Sequence, residues 1–426
     1  MDTIFAPATA RGRAGIAVLR VSGPKANAVA ETLAGKLPRP RVATLCRLRD
    51  PDGQVLDEAL VLRFEAGASF TGQDVIEFHL HGGIAVVRAV QQVISDVPEC
   101  RLAEPGEFTR LALENGRLDL AEVEGLADLI DAETEGQRQQ ALRVFTGAAA
   151  DVVSGWREDL VSALALLEAT IDFADEEVPI DVRPDVERLV AGVVEEVGVQ
   201  VEATKRAERV RDGFEVAILG APNVGKSTLL NALAGRAAAI TSEVAGTTRD
   251  VIEVRMDVEG LAVTFLDTAG LRETDDTVER VGIERAINRA QQADLRIFLL
   301  DEGDKAPEDL VREEDLVLGA KADLSGSGVS GLTGLGVDQL MDDVAKVLEN
   351  RVPKDVNFSR ERHRIALMRA QEELSAVVGA VVGSGTHDEV LSEHIWAAVR
   401  ALESILGKVD IENVLDDIFS RFCLGK

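Results

Sequence analysis

Eight residues carry the clearest chemical signal. Gly220-Ala-Pro-Asn-Val-Gly225-Lys226-Ser227 follows the strand-like run FEVAIL and leads into the helical TLLNALAGR. The fit to G-x-x-x-x-G-K-[ST] is complete, in the strand, loop and helix setting that gives the motif its meaning. Glycines let backbone N–H groups, those of Asn223, Val224, Gly225 and Thr228 among them, wrap phosphate oxygens at a helix N-terminus. Lys226 brings a point charge to the β- and γ-phosphates, and Ser227 offers a hydroxyl to Mg2+. Further on, VTFLDTAG puts Asp267 at the end of a second apolar run, where its carboxylate can hold the magnesium shell. Gly270 then stands where a backbone N–H can meet the γ-phosphate. Between the two lies the polar stretch Gly246-Thr247-Thr248-Arg249-Asp250, whose Thr248 can supply a second hydroxyl to the metal.

In order and spacing these runs resemble the sequence set of G proteins, with two departures. The Asn-Lys-x-Asp of that set stands here as Ala320-Lys321-Ala322-Asp323, after DLVLG. Asp323 can still accept two hydrogen bonds from guanine N1 and N2, which adenine cannot reciprocate, and the stem of Lys321 can still cover the base. The missing Asn removes a loop-stabilising contact or one to the purine edge, so the expectation is GTP over ATP with lowered affinity. Ser330, in the Gly-rich GSGVSGLTGLG, falls where the last motif of the set would stand. The second departure is catalytic: Leu271 follows DTAG where many G proteins carry a water-orienting Gln. Glu279, in LRETDDTVERVGIERA, is a candidate to hold that water. On residue chemistry alone, an acid that opens a helix is better accounted for by the helix dipole.

Outside this module Cys423 is the fourth residue counted back from the end of the sequence. Its thiolate could act as a nucleophile, while a lone cysteine is more often a packing residue. Cys46, Cys100 and Cys423 are far apart and form no C-x-x-C pair, which excludes a disulfide framework or a structural zinc site as the organising feature. His79 and His81 lie i,i+2 on a strand without a third ligand nearby and read as structural.

These residues need scaffolds, and 426 residues is enough for two or three domains of about 150 residues each. Up to about residue 115, strand-like runs (GIAVLRVSG, EALVLRF, DVIEFHLHGG) alternate with a helical stretch after His81, which predicts an α+β domain. From Asp119 to about Val210 the chain is Ala-, Leu-, Val- and Glu-rich, with Leu160, Leu164, Leu167 and Ile171 at helical spacing. A βα alternation opens at Phe214 and lasts to about residue 345, and helical periodicity resumes at Leu391, Ile395, Ala398, Leu402 and Ile405. The economical topology inserts the α/β module into one helical domain made of two segments. With 46 Lys and Arg against 75 Asp and Glu, the formal charge is −29, which repels a polyanion at long range. The first fifty residues reverse that sign, with nine cations against Asp2, Glu31 and Asp50. No apolar run is long enough to span a membrane, and MDTIFAPATARGR lacks a leader's apolar stretch, which predicts a cytoplasmic protein.

With these residues laid out, the whole chain resembles the tRNA modification GTPase MnmE (TrmE) family. The resemblance is strongest at SFTGQDVIEFHLHGG (69–83), EPGEFTRLALENGRLDLAEVEGLADLIDA (104–132), the G motifs, LRETDDTVERVGIERA (271–286) and the ending FCLGK. It implies a folate-binding and dimerisation domain over 1–117, a helical domain over 118–212 and 349–426, and a P-loop G domain over 213–348. It also implies work with the FAD-dependent partner MnmG (GidA) to build a carboxymethylaminomethyl group at C5 of the wobble uridine of certain tRNAs. A homodimer whose G domains pair on binding GTP and K+ belongs to the same picture.

Residue by residue, the resemblance makes Asn223 a K+ ligand, joined by backbone carbonyls of Ser242, Val244 and Thr247. Glu243, Ala245 and Gly246 complete that nucleotide segment, as Thr268 and Ala269 do beside Asp267 and Gly270. Ser227 and Thr248 become Mg2+ ligands, and Glu279 the catalytic group that holds the water. With a uridine as substrate, Cys423 becomes a candidate catalytic group whose thiolate could add to C6 of the uracil ring and activate C5. Arg20, Glu77, Arg117 and Lys426 become contacts to a 5-formyl- or methylene-tetrahydrofolate, with Arg117 standing where many members have Lys. A regulatory or assembly GTPase without modification chemistry is the alternative reading.

Overall fold

The computed structural model describes residues 2–10, 12–172, 182–236, 240, 253–267, 289, 291–305, 311–353, 356–382, 387–408, 415, 418–419, 422 and 425. The chain forms two compact units, Met1–Ala127 with Glu403–Lys426, and Asp128–Leu402.

In the first unit the elements are β1 (Thr3–Pro7), β2 (Ile16–Ser22), α1 (Ala26–Ala34), β3 (Thr44–Arg49), β4 (Val55–Phe64), β5 (Val75–His81), α2 (Ile84–Ser95), β6 (Cys100–Leu102) and α3 (Glu107–Glu114). The strands form one sheet in the order β3-β4-β5-β2-β1-β6, antiparallel except where β1 meets β6. Side chains alternate across a strand, so Leu19, Val21, Ile76, Phe78 and Val61 share one face. There they are buried with Val29 and Leu33 of α1 and Val90 and Ile94 of α2. The opposite phase of the same strands leaves Arg20, Glu77 and His79 together on the other face, with Arg20 paired to Glu77 and Val18 to His79 across β2 and β5. The α+β expectation for this part of the chain holds: GIAVLRVSG, EALVLRF and DVIEFHLHGG contribute β2, β4 and β5, and the stretch after His81 is α2.

The boundary between the units passes through α4 (Leu120–Asp131). The second unit continues with α5 (Glu135–Phe145), α6 (Ala148–Asp172), α7 (Arg183–Asp212), β7 (Phe214–Gly220), α8 (Lys226–Ala234), β8 (Glu253–Val258), β9 (Leu261–Asp267), β10 (Leu295–Leu300), β11 (Leu316–Gly319), α9 (Ala322–Ser325), α10 (Val337–Glu349), α11 (Glu361–Val382) and α12 (Asp388–Ile405). Helical stretches on either side of the inserted module pack together. Val186, Val190, Val193 and Val197 of α7 and Leu367, Ala370, Leu374 and Val377 of α11 are all buried. Asp388, which opens α12, accepts from Thr170 Oγ1 and from the Arg183 guanidinium, each at 3.0 Å. A capping box joins Thr134 and Gln137 at the start of α5, satisfying N–H groups the first helical turn leaves open. Gln137 also donates to the Arg211 carbonyl at 2.9 Å, where α7 ends and the module begins.

The module's sheet runs β11-β10-β7-β9-β8, parallel except for β8. Its central strand, β7, has β9 on one side and β10 on the other, and the crevice beyond the C-terminal end of such a strand is where open α/β sheets bind ligands. Among the described residues no helix is long and apolar enough to cross a membrane.

One glycine fixes how the loops after β11 close. Gly328 has φ +98°, and a Cβ built there would lie 2.0 Å from the Gly319 carbonyl oxygen, whose acceptance from Val329 N at 2.8 Å requires that approach. Gly328→Ala is therefore expected to lower stability by about 2 kcal/mol, read from urea unfolding; an unchanged midpoint would contradict the packing described.

Candidate functional site

The phosphate-loop residues leave β7 at the crevice. Gly225 caps α8 with φ +115°, and Asn223 sits exposed with φ +63°, a region that Asn tolerates better than most residues. Lys226, the first residue of α8, is only 5% exposed. Burial pulls the pKa of its ammonium below the usual value, and the Asp267 carboxylate offsets part of that effect. The ammonium donates to the Gly220 and Ala221 carbonyls, each at 2.8 Å. Because β9 lies beside β7 with Ile218 opposite Asp267, Ser227 Oγ reaches Asp267 Oδ2 and donates to it at 2.7 Å. A hydroxyl and a carboxylate in this contact are hard oxygen donors that fit Mg2+. Ser242, Glu243, Val244, Ala245, Gly246, Thr247, Thr248, Thr268, Ala269, Gly270 and Glu279 lie outside the described residues.

A cleft of about 300 Å3 runs from this loop to the segment after β11. Its lining includes Asn223, Gly225 and Thr228 at one end and Lys321, Asp323 and Ser330 at the other. The structure thus brings the sequence-predicted phosphate and base residues to one cavity. Ala320, where the motif would have Asn, is 6% exposed and belongs to the module's apolar core. Asp323 is exposed. Gly331 comes so close to α8 that a Cβ there would lie 2.5 Å from Leu229 N, which joins the Ser330 segment to the phosphate helix. Lys321 Nζ donates to Asp301 Oδ2 at 2.6 Å, and that hydrogen bond holds the Asp301 carboxyl below its usual range. Asp301 was not among the residues singled out from the sequence. The signal available was its place directly after β10, matching that of Asp267 at the end of β9.

A second constellation lies in the first unit. Arg20 Nε donates to Glu77 Oε1 at 2.9 Å, and a second guanidinium nitrogen lies 2.8 Å from the same oxygen. The two side chains are only 17% and 16% exposed. The guanidinium also stands over the rings of Phe70 and Phe108, at 5.8 and 5.7 Å from their centroids, and donates to the Gly425 carbonyl at 3.3 Å. That contact brings Gly425 to the pair; Cys423 and Lys426 lie outside the described residues. Arg117 is exposed, with its stem beside Gly72 in the loop that carries Phe70.

Glu77 Oε2 is 3.6 Å from His79 Nε2, a buried nitrogen with no hydrogen-bond partner among the described residues. A carboxylate oxygen with accepting capacity left and an orphaned nitrogen suit a flat heterocycle bearing N–H and carbonyl groups, as the pteridine of a folate does. His81 is engaged elsewhere, its Nδ1 2.7 Å from Asp57 Oδ1. Burial pushes the Cys46 and Cys100 thiols up, which makes both poor nucleophiles. Glu77→Ala should cost about 2 kcal/mol of stability in urea unfolding, because the mostly buried Arg20 is left unpaired; a variant as stable as the parent would mean that the guanidinium is satisfied without Glu77.

Comparison with known proteins adds the following. A model described as the MnmE helical domain matches residues 120–423, and one described as the GTP-binding protein TrmE N-terminus matches residues 3–117. The tRNA modification GTPase MnmE of Roseobacter denitrificans is 56% identical over 429 residues, covering 100% of both chains. Its counterpart from Cereibacter sphaeroides (strain ATCC 17029) is also 56% identical over 429 residues with full coverage of both. That of Parvibaculum lavamentivorans is 48% identical over 443 residues, again covering both chains in full. A solved structure of Aquifex aeolicus Era bound to GDP.AlF4− is 25% identical over 38% of this chain and 66% of that one, with a TM-score of 0.24, a likeness too slight to carry weight.

Proposed function

Because the chain belongs to the tRNA modification GTPase MnmE family, we propose that it hydrolyses GTP and uses that cycle to modify the wobble uridine of certain tRNAs. With an FAD-dependent partner of the MnmG (GidA) type, it adds a carboxymethylaminomethyl group at C5, drawing the one-carbon unit from a 5-formyl- or methylene-tetrahydrofolate. The observation that carries this reading is the presence in one chain of two prepared sites: the Ser227–Asp267 contact beneath an intact phosphate loop and the mostly buried Arg20–Glu77 pair reached by Gly425. A switch protein needs only the first. On this reading the chain acts as a homodimer in the cytoplasm and divides into domains at 117/118, 212/213 and 348/349.

In the nucleotide site Lys226 offers its charge to the β- and γ-phosphates, and α8 directs its free N–H groups at them. Ser227, Thr248 and Asp267 would hold Mg2+, which would supply positive charge to the phosphoryl oxygens. Glu279 holds the attacking water, a task that Leu271 cannot perform. Asn223 and the carbonyls of Ser242, Val244 and Thr247 would hold K+, which would supply the positive charge that other GTPases take from an arginine finger. Asp323 and Lys321 receive the guanine. In the first unit Glu77 accepts from the pteridine N–H groups, while Arg20, Arg117 and Lys426 face the anionic tail of the folate. Cys423, three residues before that lysine, supplies a thiolate that adds to C6 of the uracil and leaves when the ring's double bond is restored.

Nucleoside mass spectrometry of tRNA from a strain lacking the protein tests the reading as a whole. Loss of the modified wobble uridine is expected, and an unchanged nucleoside profile leaves only the switch function. In purified protein, GTP hydrolysis should be faster in K+ than in Na+, and Asn223→Ala should abolish the difference; equal parent rates in the two salts remove the role given to Asn223. Cys423→Ser should keep GTP hydrolysis and lose modification, and full modification by that variant excludes the thiolate addition.

A further inference from the structure

The recognition loop Ala320-Lys321-Ala322-Asp323 lacks the amide side chain that would tie it to the rest of the cleft. Its backbone is held from two sides, by Ala320 N to the Leu300 carbonyl at 2.8 Å and by Ala322 N to the Val329 carbonyl at 3.3 Å. Between them Lys321, whose φ of +52° turns the chain at that point, accepts through its carbonyl from Leu324 N at 2.8 Å and Ser325 N at 3.2 Å, so the backbone is fixed and only the lysine side chain is left to be placed. A lysine stem has four rotatable bonds and extends into water unless its head is fixed. Here the head is fixed. Asp301 follows Leu300, the residue whose carbonyl receives Ala320 N, so the acid and the loop leave the sheet side by side, and Asp301 Oδ2 accepts from Lys321 Nζ at 2.6 Å.

We propose that Asp301 is a positioning residue for guanine selectivity: it holds the Lys321 ammonium so that the lysine stem stays on the cleft wall and Asp323 stays at the purine edge, replacing the tether that Ala320 cannot make. This rests on the guanine-nucleotide reading given above and adds to it a residue outside the motif. It also explains how the loop can lose its Asn without losing its geometry. Both partners of the contact are close to half exposed, so the effect is modest and weakens with salt.

The test uses the full-length protein titrated with fluorescent GDP and ADP analogues. Asp301→Ala should weaken GDP binding about fivefold, the scale of a half-exposed ion pair, with ADP binding and the melting temperature unchanged, so the preference for GDP falls by the same factor. Adding Ala320→Asn should restore the preference. Lys321→Ala and the Asp301→Ala/Lys321→Ala double variant should bind GDP equally, because one contact is lost in both. The proposal is overturned if Asp301→Ala binds GDP as the parent does, if GDP and ADP weaken together, or if the two losses add in full. A parent that binds no GDP overturns the nucleotide reading instead, and the two failures are therefore told apart.

Discussion

A buried ammonium at the end of β7 is the constraint around which the α/β module is arranged. An amine taken out of water must find oxygen, and Lys226 finds it in the two carbonyls of its own loop and in the field of Asp267. The carbonyls are available because the chain turns sharply between β7 and α8. The carboxylate is available because β9 lies directly beside β7 in parallel register. A phosphate brought to the free N–H groups of α8 supplies further oxygens to the same cation, so a site that costs desolvation without a ligand gains charge-assisted contacts with one. The strand order serves this arrangement, since it sets the ends of β7, β9 and β10 around one crevice.

The strands that shape the site also extend away from it. β8 and β9 form a hairpin whose Glu253 and Asp267 ends lie toward the nucleotide side and whose turn, at Glu259 and Gly260, lies at the opposite end. That turn accepts a hydrogen bond from Gly136 N at 2.9 Å, in the first turn of α5. Arg255 of β8 meets Glu133 at 2.7 Å. The hairpin therefore spans the module from the carboxylate that meets Ser227 to the helical layer. Within the first unit the same rule of buried charge operates on Arg20, whose partners are one carboxylate, two aromatic faces and a carbonyl from the chain's last residues.

Much of this was legible in the sequence because it depends on local periodicity and on motifs whose backbone geometry is invariant. The phosphate loop, the strands that carry Arg20 and Glu77, and the helical stretches with their core positions follow from patterns of two and of three to four residues. Contacts between distant segments left no such trace. That Gly425 reaches Arg20 and that Asp301 holds Lys321 are outcomes of tertiary packing, in which residues far apart in sequence meet because the sheet and helices place their ends together. The acidic total hides an uneven distribution: a formal charge of −29 coexists with a basic first fifty residues.

The stretch from Gly319 to Gly336 shows how composition alone can mislead. Its glycines and serines have the make-up of a flexible linker, and their number suggests a poorly defined end to the base site. In the fold they serve close backbone approach instead. Gly328 lets its segment lie against Gly319, and Gly331 lets it lie against the first turns of α8. A larger residue at either place would push the Ser330 segment away from the phosphate helix and open the cleft between them. Small side chains here therefore draw the two halves of the nucleotide site together, and the loss of the amide at 320 occurs in a loop already fixed by backbone contacts and by Asp301.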